Sequence, residues 1–196
     1  FAQVEADEQQ VNLTRFNLFF PEKREFFLEN QGTFAFGASS TFGQPAGSGD
    51  TPILFYSRRV GLNRGGAVPI LAGGRVTGRV GRFDVGVLNI QSRDEPVSGA
   101  LGTNFSVLRV KRDLLRRSSV GALLTQRSVG QNGPGANAAY GLDGTFAFFD
   151  NLSINTYWAR TRTAGRSGDD GSYRAQLEYA GDRYGVQLER LAVDGH

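Results

Sequence analysis

Cysteine and methionine are absent from this chain, and it carries a single histidine and a single tryptophan. Without thiols there is no disulfide framework and no cysteine nucleophile. One imidazole, at position 196, leaves most zinc sites and any serine–histidine relay without ligands or a base, so no metal or other cofactor is expected. No apolar run reaches the ~18 residues that a membrane helix needs, and no stretch sustains a 3.6-residue apolar period. Any membrane role therefore has to come through strands. The glycine-rich pieces at 61–66 and 73–74 lack the Lys-Ser/Thr of a phosphate loop and read as loop or close strand packing. Net charge is +3, yet arginine is spread along the chain and does not cluster with exposed aromatics, so no nucleic-acid partner is expected.

What the chain does have is alternation. Across 138–191, Tyr140, Leu142, Phe146 and Phe148 alternate with Gly141, Asp143, Thr145 and Ala147. After Asp150-Asn151 the pattern resumes, with Leu152, Ile154, Thr156 and Trp158 opposed to Ser153, Asn155 and Tyr157. Tyr173, Ala175, Leu177 and Tyr179 then oppose Arg174, Gln176 and Glu178; beyond Gly181-Asp182, Tyr184, Val186 and Leu188 oppose Arg183, Gln187 and Glu189. A period of two marks strands, and the short links mark hairpins. Earlier pairs are expected at 70–80 with 83–91 and at 105–112 with 118–127, and a further strand at 53–62, interrupted by Arg58 and Arg59.

Three features separate a membrane wall from a soluble sandwich. The runs are about 9–11 residues long, enough to cross a bilayer at a tilt, whereas strands of soluble domains are usually about 5–6. Short links (81–82, 113–116, 150–151, 181–182) alternate with long glycine-rich loops (92–102, 129–137, 163–171), as periplasmic turns alternate with external loops. Tyr140, Trp158 and Tyr173 lie away from the short turns and Phe83, Phe148, Tyr179 and Tyr184 lie beside them, two aromatic levels bracketing an apolar band. The expected fold is all-β: an antiparallel meander of roughly eight to ten strands over 51–196, part of an outer-membrane β-barrel.

Residues 1–50 read differently. An acidic stretch with Glu5, Asp7 and Glu8 precedes an apolar run at 13–20; Pro21, Glu22, Lys23 and Arg24 then introduce Glu25, Phe26, Phe27 and Leu28. Proline followed by glutamates starts a short helix, and 32–50 reads as loop. The acidic spacing is not that of a calcium loop, and solvated carboxylates are the plainer account. The segment is expected inside or beneath the barrel, with Glu22–Glu25 fixing it by local ion pairs or, as a runner-up, gating the lumen. The chain's two ends, in Phe1-Ala2-Gln3-Val4 and Val193-Asp194-Gly195-His196, are those expected of a piece of a longer protein.

Several strings resemble an uncharacterised bacterial family. They are Val4-Glu5-Ala6-Asp7, Val11-Asn12-Leu13-Thr14-Arg15-Phe16, Phe19-Phe20-Pro21-Glu22-Lys23-Arg24, Phe26-Phe27-Leu28-Glu29-Asn30, Phe55-Tyr56-Ser57-Arg58-Arg59 and Asn104-Phe105-Ser106-Val107. Members of that family, a domain of unknown function, join a sandwich similar to a family-nine carbohydrate-binding module to a C-terminal region that looks like an outer-membrane barrel. The resemblance implies a Gram-negative outer membrane, a glycan partner held through an upstream module, and further strands. It supplies no reaction, although some relatives carry a loose hydrolase name. Glu25 stands where the family string has proline, so a turn there differs.

Charged residues on the face opposite the apolar band are expected to line the lumen: Arg75, Arg79, Asp84, Arg109, Lys111, Asp143, Arg174, Glu178, Arg183 and Glu189. A glycosidase needs two carboxylates at a defined gap. Here arginines alternate with the carboxylates, and paired charges are the ordinary way to satisfy a barrel interior, so catalysis is not the leading expectation. The expected role is a membrane anchor or passage for an envelope protein that handles glycans or similar polymers. Its partners would be outer-membrane lipid and lipopolysaccharide, whose phosphates would meet Arg160, Arg162 and Arg166. The competing readings are a cell-surface hydrolase with lumenal carboxylates and a soluble carbohydrate-binding sandwich.

Overall fold

The computed structural model describes residues 22–37, 53–63, 65–130, 135–165 and 170–194. Glu5, Asp7, Glu8, Pro21, Arg166 and His196 lie outside that set.

The alternating runs form one antiparallel sheet of eight strands in strict sequence order. They are β3 (Ile70–Val80), β4 (Phe83–Ser92), β5 (Asn104–Leu115), β6 (Ser118–Arg127), β7 (Asn137–Phe148), β8 (Leu152–Thr163), β9 (Gly171–Ala180) and β10 (Gly185–Val193). A two-stranded hairpin, β1 (Leu62–Asn63) with β2 (Gly66–Ala67), precedes them. The chain is therefore all-β, with one short helix, α1 (Glu25–Leu28), and 3-10 turns at Gln31–Phe34 and Ser57–Arg59. β3 and β10 form the two edges of the sheet. Links of residues 81–82, 116–117, 149–151 and 181–184 lie at one end, and the longer connections, 93–103, 128–136 and 164–170, at the other. Gly81, at φ +62°, supplies the left-handed residue that the two-residue β3–β4 turn requires.

Three local expectations are corrected. Residues 53–62 do not form a strand: they make the 3-10 turn and pair only from Leu62. The Arg24 guanidinium donates to the carbonyls of Ser57 (2.8 Å) and Val60 (2.9 Å), groups that a strand would have offered to a neighbouring chain. β5 runs on to Leu115 through a register shift after Asp113, so its turn is Arg116-Arg117 and not 113–116. The last link extends to Tyr184, closed by the Gly181 N–H donating to the Tyr184 carbonyl at 3.0 Å, which leaves Arg183 and Tyr184 in the turn and on neither strand face.

Strand alternation gives the sheet two faces with opposite fates. On one, Leu88, Ile90, Phe105, Val107, Leu123, Tyr157 and Ala159 make a core with Phe27, Phe34 and Phe36 of the N-terminal segment and with Val60. We call this the packed face and its reverse the open face. Each fully buried phenylalanine contributes roughly 1.5–3 kcal/mol, so three of them suffice to seat a segment that has little regular structure. The seats are glycines. A methyl group on Gly141 would come within 2.5 Å of the Phe36 ring, and one on Gly86 within 2.9 Å of Phe34.

Gly141→Val is expected to displace Phe36 and lower stability by about 1–3 kcal/mol, the usual cost of overpacking. Gly74→Val, at a position with nothing within 4 Å, is expected to stay within about 0.5 kcal/mol of the parent. Denaturant titration of the two variants under identical conditions separates them.

Candidate functional site

Neighbours in sequence measure the contrast between the faces. Leu123 is 2% exposed and Leu124 44%; Tyr157 is 3% exposed and Trp158 43%. The open face continues through Val76, Val80, Val87, Leu108, Leu142 and Leu188, all exposed. Soluble monomers rarely leave a contiguous apolar surface of this extent unpartnered. The aromatics expected to bracket it fall in different register rows, and Trp158 shares the mid-strand row of Leu142. Trp158 stands opposite Tyr173 in the register, and its ring lies 5.8 Å from that of Tyr140. Phe83, Phe148 and Tyr179 lie beside the short links, with Phe148 across from Leu152 and Leu152 across from Tyr179. Arg160 and Arg162 share the open face with Trp158, nearer the long connections, because even-numbered residues of β8 point one way.

Arg75, Arg79, Asp84, Arg109, Lys111, Asp143, Arg174, Glu178 and Glu189 all fall on the packed face, as the registers require. Its centre is Arg109. The side chain is 2% exposed and crosses β6 to meet Asp143 of β7 in a bidentate pair, with Nη2 to Oδ2 at 2.8 Å. It passes directly over Gly121, where a methyl group would approach Nη1 to 2.7 Å. Arg174 Nε and Glu189 Oε1 pair diagonally at 2.8 Å between β9 and β10. Arg79 meets Asp113, with Asp84 at 3.8 Å, but is exposed, and such a pair contributes little. Lys111 lies across from Asp84, and Glu178 across from Ser153 and Gln187.

Arg75 has a different job from its neighbours. Its Nη1 donates to the carbonyls of Phe26 (2.6 Å) and Glu29, and Nη2 meets the Glu29 carboxylate at 2.5 Å. These are carbonyls that a helix end leaves without partners, so β3 caps α1 and holds it to the sheet. Asn30 adds a hydrogen bond to Thr77 Oγ1 at 3.1 Å. Glu22 and Arg24 form the second tether. The Glu22 carboxylate accepts from Arg24 Nη2 (2.7 Å), Arg24 Nε (2.8 Å), Ser57 Oγ (2.7 Å) and the backbone N–H groups of Lys23 and Arg24, both 3.1 Å. Arg24 also lies over the Phe27 ring, 4.2 Å from its centre. Lys23 is exposed and takes part only through its N–H. Burial by itself would push the Glu22 carboxyl up; the Arg24 guanidinium, the Ser57 hydroxyl and the Arg24 N–H outweigh it and hold the pKa below the ordinary carboxylate range.

Sequence reasoning missed Glu29, Phe34, Phe36 and the bridging role of Gly121. Glycine at Gly86, Gly121 and Gly141, positions where the alternation calls for a packed side chain, was the signal that something else fills those places. Chemically, the packed face pairs Asp143 with Arg109, Glu189 with Arg174 and Glu29 with Arg75, and Glu178 faces the polar Ser153 and Gln187. Among the described residues no group of acidic or histidine side chains is arranged to hold a metal ion.

Family models, curated proteins and solved structures return no match to this chain.

Asp143→Ala, which leaves the Arg109 guanidinium buried without its partner, is expected to cost about 3–5 kcal/mol. Replacing both, Arg109→Met with Asp143→Leu, should cost less than the single change; a double-mutant cycle of unfolding free energies measures the difference. The Glu22 tether stabilises fully above the ordinary glutamate pKa of about 4.3 and weakens as pH falls through its lower folded-state value. Protease cleavage within 22–37 should therefore accelerate on acidification, and Glu22→Gln should cleave fast at every pH.

Proposed function

We propose that this chain forms part of the wall of an outer-membrane β-barrel in a Gram-negative bacterium, and that it serves as a membrane anchor whose interior is occupied by its own N-terminal segment. The observation that carries this reading is the exposed apolar open face backed by a face of paired charges, the reverse of a soluble protein with water on its charged side. Strands of 9–12 residues and the segregation of short and long links to opposite ends support it.

The short links face the periplasm and the long connections face outward. Arg160 and Arg162, beyond Trp158 on the outward side, meet lipopolysaccharide phosphates. Phe27, Phe34 and Phe36 fill the space beside the packed face, which favours an anchor over an open passage. The resemblance carried by the N-terminal strings extends the proposal to an envelope protein that handles glycans through an upstream module. Pairing of Asp143 with Arg109 and of Glu189 with Arg174 weighs against a lumenal hydrolase, since neither carboxylate is free to act. A carbohydrate-binding sandwich needs a second sheet over the open face, and among the described residues the other sheet is only the β1–β2 hairpin.

Arginine scanning of the open face tests the proposal. In a bilayer, Leu142→Arg, mid-strand, should cost about 2–4 kcal/mol, and Val80→Arg, beside a short link, about 0–1 kcal/mol. A soluble protein would show no such depth dependence. Recovery of the chain in water without detergent would sink the reading.

A further inference from the structure

The open face is not uniformly flat. A groove of about 540 Å³ crosses it between β4 and β8, within the usual range for small-molecule sites. Val120 and Ala122 on β6 line its floor, and beside them the Phe146 ring lies over Gly144 of β7. Phe83 and Arg112 bound one side, and Phe146 and Trp158 the other. The registers orient it. Arg112 pairs with Phe83, which directly follows the short Gly81-Arg82 turn, whereas Trp158 lies in the row of Val110, Ala122 and Leu142, further from the short links. One end is thus cationic and lies at the aromatic level of the short links, and the other runs into the middle of the apolar band.

Arg112 is exposed, with its guanidinium 5.1 Å from the centre of the Phe83 ring, and among the described residues it has no carboxylate within ion-pair distance. The Phe83 ring braces it at the mouth of the groove. An unpaired cation at the mouth of an apolar channel, placed where headgroups begin, matches one kind of molecule: an anionic amphiphile with a long hydrocarbon tail.

We infer that this groove binds the acyl chain of an anionic phospholipid of the inner leaflet of the outer membrane, with the lipid phosphate on Arg112. The inference rests on the membrane reading above and adds a lipid-specific site to it. Val120 and Ala122 let the chain lie close to β6, and the Arg112 guanidinium offers paired donors to phosphate.

Because Trp158 is the chain's one tryptophan and lines the groove, its fluorescence reports on the site. The full chain is refolded into phosphatidylcholine bilayers containing a small fraction of phosphatidylglycerol or of phosphatidylcholine, each with brominated acyl chains. A single arginine near a lipid surface corresponds to about a fivefold local enrichment of the anionic lipid, so brominated phosphatidylglycerol should quench Trp158 at about a fivefold lower mole fraction. Arg112→Gln should abolish the headgroup preference while leaving quenching by phosphatidylcholine intact. Ala122→Phe, which fills the floor, should reduce quenching by the anionic lipid to the level of the zwitterionic one. If Ala122→Phe does not fold, Arg112→Gln carries the test. Equal quenching by the two lipids in the parent, or a preference that survives Arg112→Gln, overturns the site and leaves the membrane reading standing. Absence of quenching by either lipid overturns both.

Discussion

Everything in this protein depends on what fills the packed face. A long antiparallel sheet has two faces and needs a partner for each that it does not leave to solvent or lipid. Here the sheet recruits a partner from its own chain: Phe27, Phe34 and Phe36 enter the core, and two of the rings lie over Gly86 and Gly141, where side chains are missing. The glycines weaken their strands slightly and in exchange accept aromatic rings at backbone distance. With that contact made, the alternation of β3–β10 assigns every other side chain to the reverse face, and the exposed apolar surface follows without further instruction.

Charge on the packed face obeys the same geometry. Arg109 is buried, and such a group is tolerated only with its partner in place. The partner is not the residue opposite it in the register but Asp143, two strands away, reached over Gly121. Arg75 faces the same problem and solves it with the carbonyl end of α1. Both solutions tie distant parts of the chain together, so the packed face acts as a set of cross-links as well as a neutral lining. In the proposed membrane setting that lining keeps the interior polar but occupied, and the open face, with its lipid groove, becomes the surface through which the protein deals with its surroundings.

Much of the fold could be read in advance because its signal is local. The hairpins around Gly81-Arg82 and Asp150-Asn151, the second widened by Phe149 in the structure, come from a period of two interrupted by turn residues, and both are properties of a few adjacent positions. The 53–62 stretch was misread for the opposite reason. Its apolar content suits a strand, but its carbonyls are taken by Arg24 from outside the stretch, which no window of sequence contains. Arg183 and Tyr184 continue the alternation on paper, yet the link closes one backbone hydrogen bond later than the pattern implies. At Phe34 and Phe36 a glycine-rich tract concealed two core residues, since the places they occupy lie on β4 and β7.

The sequence by itself determined the eight strands of the large sheet to within a few residues at their ends, their order along the chain, and the division of their residues between two faces, since alternation is fixed by backbone geometry and needs no distant contact. Tertiary structure alone decided which side chains meet: the pairing of Arg109 with Asp143, the seating of Phe36 over Gly141, the capping of α1 by Arg75, and the groove that opens between Arg112 and Trp158. Each joins residues far apart in the chain, and such contacts are selected by packing and by the cost of leaving a buried group without a partner, quantities that exist only once the sheet has formed.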